Sequence, residues 1–401
     1  MNYFDDNKVN IQALKKKAYN FRWAEVADNI IPLSTADPDY PCAPEIVKAI
    51  QDYISDGYFS YTPKTGYDEF KKAFSSYVKR RKNENIDPEL VVPIDSAARA
   101  MDIIAKAFLK PGDEMIVFDP CDLLFREACI QSGATPIFYP CKMDSEKKEI
   151  NISDLEDYIT DKTKMIGLCN PHNPFGLLYT VEQLDFIMRL CEKYNLYIMN
   201  DEIWSDIIYS DGKFNSVYCL GNDRCKNVLS VFGYSKSFGL AGLRVGNIFC
   251  TDKDNFNKVV EKSQVLSTVG GAASISMVAA AAAMNDSEYY LDAFVKHLEE
   301  NRNYAVDFIN QLPMLKAYRP KATYLLYIDI KETGMTGIEF TEYLKKTVGL
   351  AVIQGGKQFF GDQSEGHIRI CFATSREILE EGLNRLKKGV MALAERKINN
   401  E

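Results

Sequence analysis

One lysine stands between two serines, Ser235-Lys236-Ser237, just beyond an apolar run from Val228 to Phe232, and a glycine-rich tail follows it, Gly239-Leu240-Ala241-Gly242-Leu243-Arg244-Val245-Gly246. A lysine held in a tight, mostly apolar turn loses hydration, which disfavours its ammonium form and lowers its pKa. The neutral amine can form a Schiff base with an aldehyde. The glycines let backbone approach a ligand closely, and Arg244 offers a planar fork suited to phosphate. Together they suit an aldehyde that also carries a phosphate.

Four further stretches carry chemistry. Ser96-Ala97-Ala98 opens a helical pattern after a strand, where small residues leave backbone N–H groups bare at the positive end of the helix dipole. Asn170-Pro171-His172-Asn173-Pro174-Phe175-Gly176 makes a defined turn after Met165 to Cys169. Asp201, at the end of the strand-like run Leu196 to Met199, is a carboxylate in an apolar setting and needs a partner. Arg369, in Gly366-His367-Ile368-Arg369-Ile370-Cys371-Phe372, is costly on an apolar strand unless paired.

These groups are positioned by an alternation of apolar runs and helical patterns. Strands are expected at 91–94, 115–118, 136–139, 165–169, 196–199, 228–232 and 247–250, with a helix at 70–81 ahead of them and helices at 99–109, 125–132, 152–158 and 181–194 between them. Strands separated by helices imply a mainly parallel sheet, the α/β class. Ligands on such sheets bind beyond the carboxyl ends of the strands, where these motifs lie. Three prolines between Ile31 and Pro41 exclude a regular element there, and Pro44 opens the next helix. A helical pattern runs unbroken from Asp286 to Leu312, and an α+β tail follows, with strands at 324–330 and 367–372 and helices at 336–347 and 376–397.

Composition removes other classes. The 401 residues carry a net charge of -8 and no sizeable basic face, so nucleic acid is not an expected partner. Ten scattered cysteines without a C-x-x-C pair, and three histidines, give no zinc pattern and no metal site is expected. The first thirty residues lack an apolar signal core and no window spans a membrane, so a cytoplasmic protein with reduced thiols is expected.

Taken in chain order, the Asn173 turn, the Asp201 strand end, the Lys236 run and the Arg369 strand resemble the class I/II aminotransferases of the aspartate-aminotransferase superfamily, from about Ile31 to Phe372. The resemblance implies the pyridoxal phosphate (PLP)-dependent transferase fold. Its large domain, 42–285, would hold a mainly parallel, seven-stranded sheet, and a smaller α+β domain would combine 1–41 with 286–401. It implies a homodimer and a PLP-dependent enzyme that moves an amino group from an L-amino acid to a 2-oxo acid through a lysine aldimine. Lys236 would hold PLP and shuttle the α-proton, and Asp201 would pair with the ring nitrogen. Asn173 would bind the phenolic oxygen. Ala97, Ala98, Ser235 and Arg244 would hold the phosphate, joined by Tyr61 from the other subunit. Arg369, with Asn173 and Ala36, would meet the substrate.

Three positions depart from the family pattern. Asp122 stands where an aromatic usually covers the ring, Trp204 where a tyrosine is common, and Gly233 where transaminases often have a serine. Gly233 and Trp204 lean towards the C–S β-lyases related to cystathionine β-lyase, which release thiol, pyruvate and ammonia. Arg244 in the full Gly-x-Arg-x-Gly ending leans towards transamination. Transamination is the reading taken, with β-elimination as the alternative. A regulator on this fold would add a basic helix-turn-helix, and none is legible.

Overall fold

The apolar runs become the strands of one seven-stranded sheet in a computed structural model that describes residues 3–144, 149–267 and 269–400. In chain order they are β1 (Val91–Ile94), β2 (Glu114–Asp119), β3 (Thr135–Pro140), β4 (Thr163–Cys169), β5 (Tyr197–Asp201), β6 (Val228–Gly233) and β7 (Gly246–Phe249). Their spatial order is β1-β7-β6-β5-β4-β2-β3, and only β7 runs antiparallel to its neighbours. Every residue of β6 is buried, as expected for a strand covered by helices on both faces.

Register fixes the active edge. Cys169, Asp201 and Val231 are paired neighbours across β4, β5 and β6. Two residues further along, Gly233, Gly246 and Ile94 align across β6, β7 and β1. The carboxyl ends of six strands and the amino end of β7 therefore share one edge. Helix Ala97–Phe108 leaves that edge with Ser96 as its cap, the Ser96 hydroxyl accepting from the Arg99 N–H at 3.1 Å. Helix Ser274–Asp286, the alanine-rich run, is largely buried and packs against helices Pro44–Ile54 and Asp68–Lys82.

A second, antiparallel sheet holds β8 (Lys316–Ala317), β9 (Leu325–Asp329), β10 (Ile353–Gln354) and β11 (His367–Cys371), in the order β8-β9-β11-β10. Helices Gly337–Val348 and Arg376–Asn400 pack on each other beside it. The N-terminal segment reaches this unit, because Ile31–Pro32 pairs in parallel with Leu350–Ala351.

One expectation is corrected. The helix at 152–158 is only a 3-10 turn, Leu155–Tyr158, since the Asn151 side chain accepts from the Ser153 N–H at 3.0 Å and closes a local turn instead. The pattern from Asp286 to Leu312 is one helix, Glu288–Ile309, as expected. Ser287 (φ -119°, ψ 13°) separates it from helix Ser274–Asp286, its buried hydroxyl reaching back to the Ala282 carbonyl at 3.4 Å. No helix among the described residues is long and apolar enough to cross a membrane, and all ten cysteines are free.

Candidate active site

β6 delivers Lys236 on one short helix, Tyr234–Phe238, which Gly239 ends in the left-handed conformation (φ 69°). Residues on either side pin that helix. The Ser237 hydroxyl donates to Asp206 at 2.7 Å, and the Tyr234 hydroxyl donates to Asn247 at 2.8 Å. Lys236 is left facing a cavity of about 390 Å³. Its Nζ donates to the Ala36 carbonyl at 2.7 Å and lies 5.6 Å from the centre of the Trp204 ring. Enclosure pulls its pKa below the ordinary lysine value, although Asp37 and Asp122 oppose the shift.

Asp201 lines the same cavity from the end of β5, accepting the Ile203 N–H at 3.0 Å. Burial pushes its carboxyl up to about 7, the Ile203 N–H and Lys236 pulling back while Asp122 and Glu202 add to the rise. Ala97 and Ala98 begin their helix at this edge, with Ser235 and Arg244 beside them on the cavity wall. Gly246 makes the approach possible, because a Cβ there would lie 2.9 Å from the Ala97 nitrogen. Arg244 is exposed and left-handed (φ 51°), at the end of the 3-10 turn Ala241–Leu243.

The opposite wall comes largely from the small sheet. Arg369 projects from β11, with Tyr327 and Ile353 as its cross-strand partners. It is buried, its Nη1 donates to Asn173 Oδ1 at 3.3 Å, and its guanidinium lies over the Phe360 ring at 4.9 Å. The buried Nε has no protein partner. Burial without full pairing lowers the basicity of the group and leaves it suited to an anion. Asp122 completes a chain of contacts: one oxygen accepts from Asn173 Nδ2 at 2.9 Å, and the other accepts from the Leu124 N–H at 3.1 Å, capping helix Leu123–Gln131.

The cavity thus gathers Lys236, Asp201, Asn173, Arg244, Ala97, Ala98, Ser235, Trp204, Asp122, Arg369 and Ala36 from the sequence expectations. Tyr61 is not among them. It is 94% exposed and lines a separate depression with Pro63 and Gly66. His172 is buried and stacked on Phe175, its pKa lowered to about 3 by burial, which makes it a neutral packing residue.

Sequence reasoning missed other residues on or behind the cavity wall. Asp37 is raised by burial and held back by Lys236 and Arg22. Tyr324 donates to the Ala36 carbonyl at 3.4 Å and meets Trp204 edge-on at 4.7 Å. Phe359 and Phe360 face the cavity from the segment between β10 and β11. The signal for the last pair was an aromatic doublet before a glycine, which no core pattern claimed. Ala36 itself is seated by a buried ion pair: Arg22 meets Asp39 at 2.5 Å and donates to the Pro32 carbonyl at 2.8 Å, while Trp23 Nε1 also reaches Asp39 at 2.8 Å.

One cavity therefore offers an amine of lowered basicity, a helix N-terminus that opens on two alanines, a buried carboxyl and a guanidinium only partly paired. An aromatic aldehyde bearing a phosphate fits that set, together with a second, carboxylate-bearing molecule. Residues 28–386 match the model of one family, described as aminotransferase class I and II. The chain belongs to that family. Among these aminotransferases it is 27% identical over 392 residues to an aspartate aminotransferase of Pyrococcus horikoshii, covering 97% of both chains. The crystal structure of an aromatic aminotransferase from the same organism superposes with a TM-score of 0.85 at 27% identity, over 94% of this chain and 98% of that one. Cystalysin from Treponema denticola, whose crystal structure contains PLP, gives a TM-score of 0.90 over 98% of this chain and 100% of that one. At 23% identity that likeness concerns the fold alone.

Proposed function

We propose that this aminotransferase-family chain uses PLP to move an amino group from an L-amino acid to a 2-oxo acid. The observation that carries the reading is the placing of Lys236 and Arg369, whose buried Nε has no protein partner, on one cavity with Asp201. When bound, PLP supplies an aldehyde and an electron-withdrawing ring. Lys236 provides the amine for that aldehyde, and Asp201 the carboxylate for the ring nitrogen. Asn173 offers its amide to the phenolic oxygen. Ala97, Ala98, Ser235 and Arg244 receive the phosphate.

Arg369 takes the substrate carboxylate in a forked ion pair, which turns the α-carbon towards Lys236. Lys236 Nζ removes the α-proton, and its lowered basicity keeps a fraction of the amine neutral for that step. The Ala36 carbonyl is a partner for Nζ whenever the amine is free. Trp204, backed by Tyr324, walls this end against water.

The reading includes a division into a large unit, 42–285, and a small unit made of 1–41 and 286–401. It also includes a cytoplasmic homodimer in which Tyr61, exposed on one chain, reaches the phosphate of the other. A monomer on sizing would count against the last point. The alternative is C–S β-elimination, favoured by Trp204 beneath Lys236 and by Gly233, where no hydroxyl is available to a phosphate.

A half-reaction without an acceptor separates the two. Transamination gives one equivalent of 2-oxo acid per active site and resumes when a 2-oxo acid is added. Sustained release of pyruvate, ammonia and thiol from cystathionine or cysteine, with no acceptor, would overturn transamination in favour of the lyase.

A further inference from the structure

We infer that the amino donor carries a large apolar or aromatic side chain, and that acidic amino acids are poor substrates. The inference rests on the placing of Arg369 at the substrate carboxylate and specifies what surrounds that carboxylate. Among the described residues that line the cavity, the cations are Lys236, Arg244 and Arg369. The first two serve the cofactor in the reading above and the third takes the α-carboxylate. No cation of this chain is left on the wall for a second carboxylate.

The surroundings of Arg369 are apolar on several sides. Ile353 is its cross-strand partner, so both side chains stand on one face of the small sheet. The Phe360 ring lies beneath the guanidinium at 4.9 Å, and Phe359 and Phe21 line the same cavity. Phe21 is half out in solvent, at 55% exposure and in a left-handed conformation (φ 62°), so its ring has apolar surface still to bury. The nearby carboxylate is of the wrong sign for an acidic substrate: Asp122 is joined to Arg369 through Asn173 by contacts of 2.9 and 3.3 Å. A carboxylate entering beside Asp122 meets like charge in a partly enclosed site, whereas a phenyl or branched aliphatic group meets Ile353 and the phenylalanines.

Two unreactive carboxylates test this on the PLP-loaded protein. Neither 3-phenylpropanoate nor succinate has an amino group, so their binding, measured by calorimetry, is read independently of any turnover. We expect 3-phenylpropanoate to bind about tenfold or more tightly than succinate, the effect of burying a phenyl ring. Phe360→Ala is expected to remove most of that preference. Equal binding, tighter succinate, or no binding of 3-phenylpropanoate would overturn the inference, and the wild-type comparison stands even where the variant folds poorly. The two readings fail separately. A preserved preference with no 2-oxo acid in the half-reaction overturns transamination alone, and tighter succinate with an intact half-reaction overturns the substrate class alone.

Discussion

The two walls of the cavity are built on different principles. The wall from the seven-stranded sheet carries groups whose charge is set by their surroundings: Lys236 is lowered and Asp201 is raised to about 7, in both cases mainly by burial. The wall from the small sheet carries a guanidinium, which stays protonated, set among Ile353 and Phe360. The first wall can hold or move a proton. The second can only hold and select. Chemistry and selection are thus separated between two sheets, and each can be changed without rewriting the other.

Loss of Lys236 attacks the first wall directly. For Lys236→Ala, turnover is expected to fall by about 10²- to 10⁴-fold, the span of a lost general base. A variant within tenfold of wild type in steady-state assays would remove proton transfer from this wall.

The second expectation concerns stability and tests the burial of Asp201. In the cofactor-free protein the folded chain keeps a proton on Asp201 that the unfolded chain releases in the ordinary carboxylate range. Stability from this group is therefore full at low pH, falls as pH rises towards about 7, and is level above that. The loss is at most about 4 kcal/mol. Asp201→Asn should flatten that decline, and urea midpoints at pH 5 and pH 8 measure it. Parallel profiles for variant and wild type would show that burial does not govern the group.

The smallest change belongs to the second wall. Arg369→Ala should raise KM for the amino donor about 100-fold with less effect on kcat, because the lost contact is to the substrate carboxylate. Arg369→Lys keeps the charge without the fork and should fall between the two. Equal losses in kcat and kcat/KM would instead place Arg369 in the chemical step and erase the contrast between the walls.

The first wall was the more legible of the two in the sequence. Lys236, Asp201, Asn173 and Ala97 each follow a strand within a few residues, so local pattern and the edge rule for parallel sheets bring them together. Arg369 was legible because a charge on an apolar strand is conspicuous. Its companions were not. Ile353 meets it only through pairing between separate strands, and Phe360 through a loop folded back on the large sheet. The Ala36 carbonyl, 200 residues from Lys236, depends on the Arg22–Asp39 pair, and no local periodicity reports such a contact. The helix expected at 152–158 was cut short for a different reason: the Asn151 side chain closes a local turn before it.

The segment that carries Phe360 is stitched to the large sheet. The Asp119 carboxylate at the end of β2 accepts the N–H groups of Asp362 and Gln363 at 3.0 and 3.1 Å, and the Cys121 N–H donates to the Phe360 carbonyl at 2.9 Å. Gly361 sits so close that a Cβ there would lie 2.1 Å from the Asp119 carboxylate. In mechanical terms this seam is a fulcrum. If the small unit rocks as substrate enters, points beside the seam sweep through little distance, while points far from it, such as the Ile31–Pro32 pairing, travel further. The aromatic floor under Arg369 then behaves as a fixed anvil and the N-terminal segment as the moving jaw. Amide exchange would report the difference as strong protection at Asp362 and Gln363 in both the free and the ligand-bound protein, with ligand-dependent change concentrated around Phe21 to Ala36.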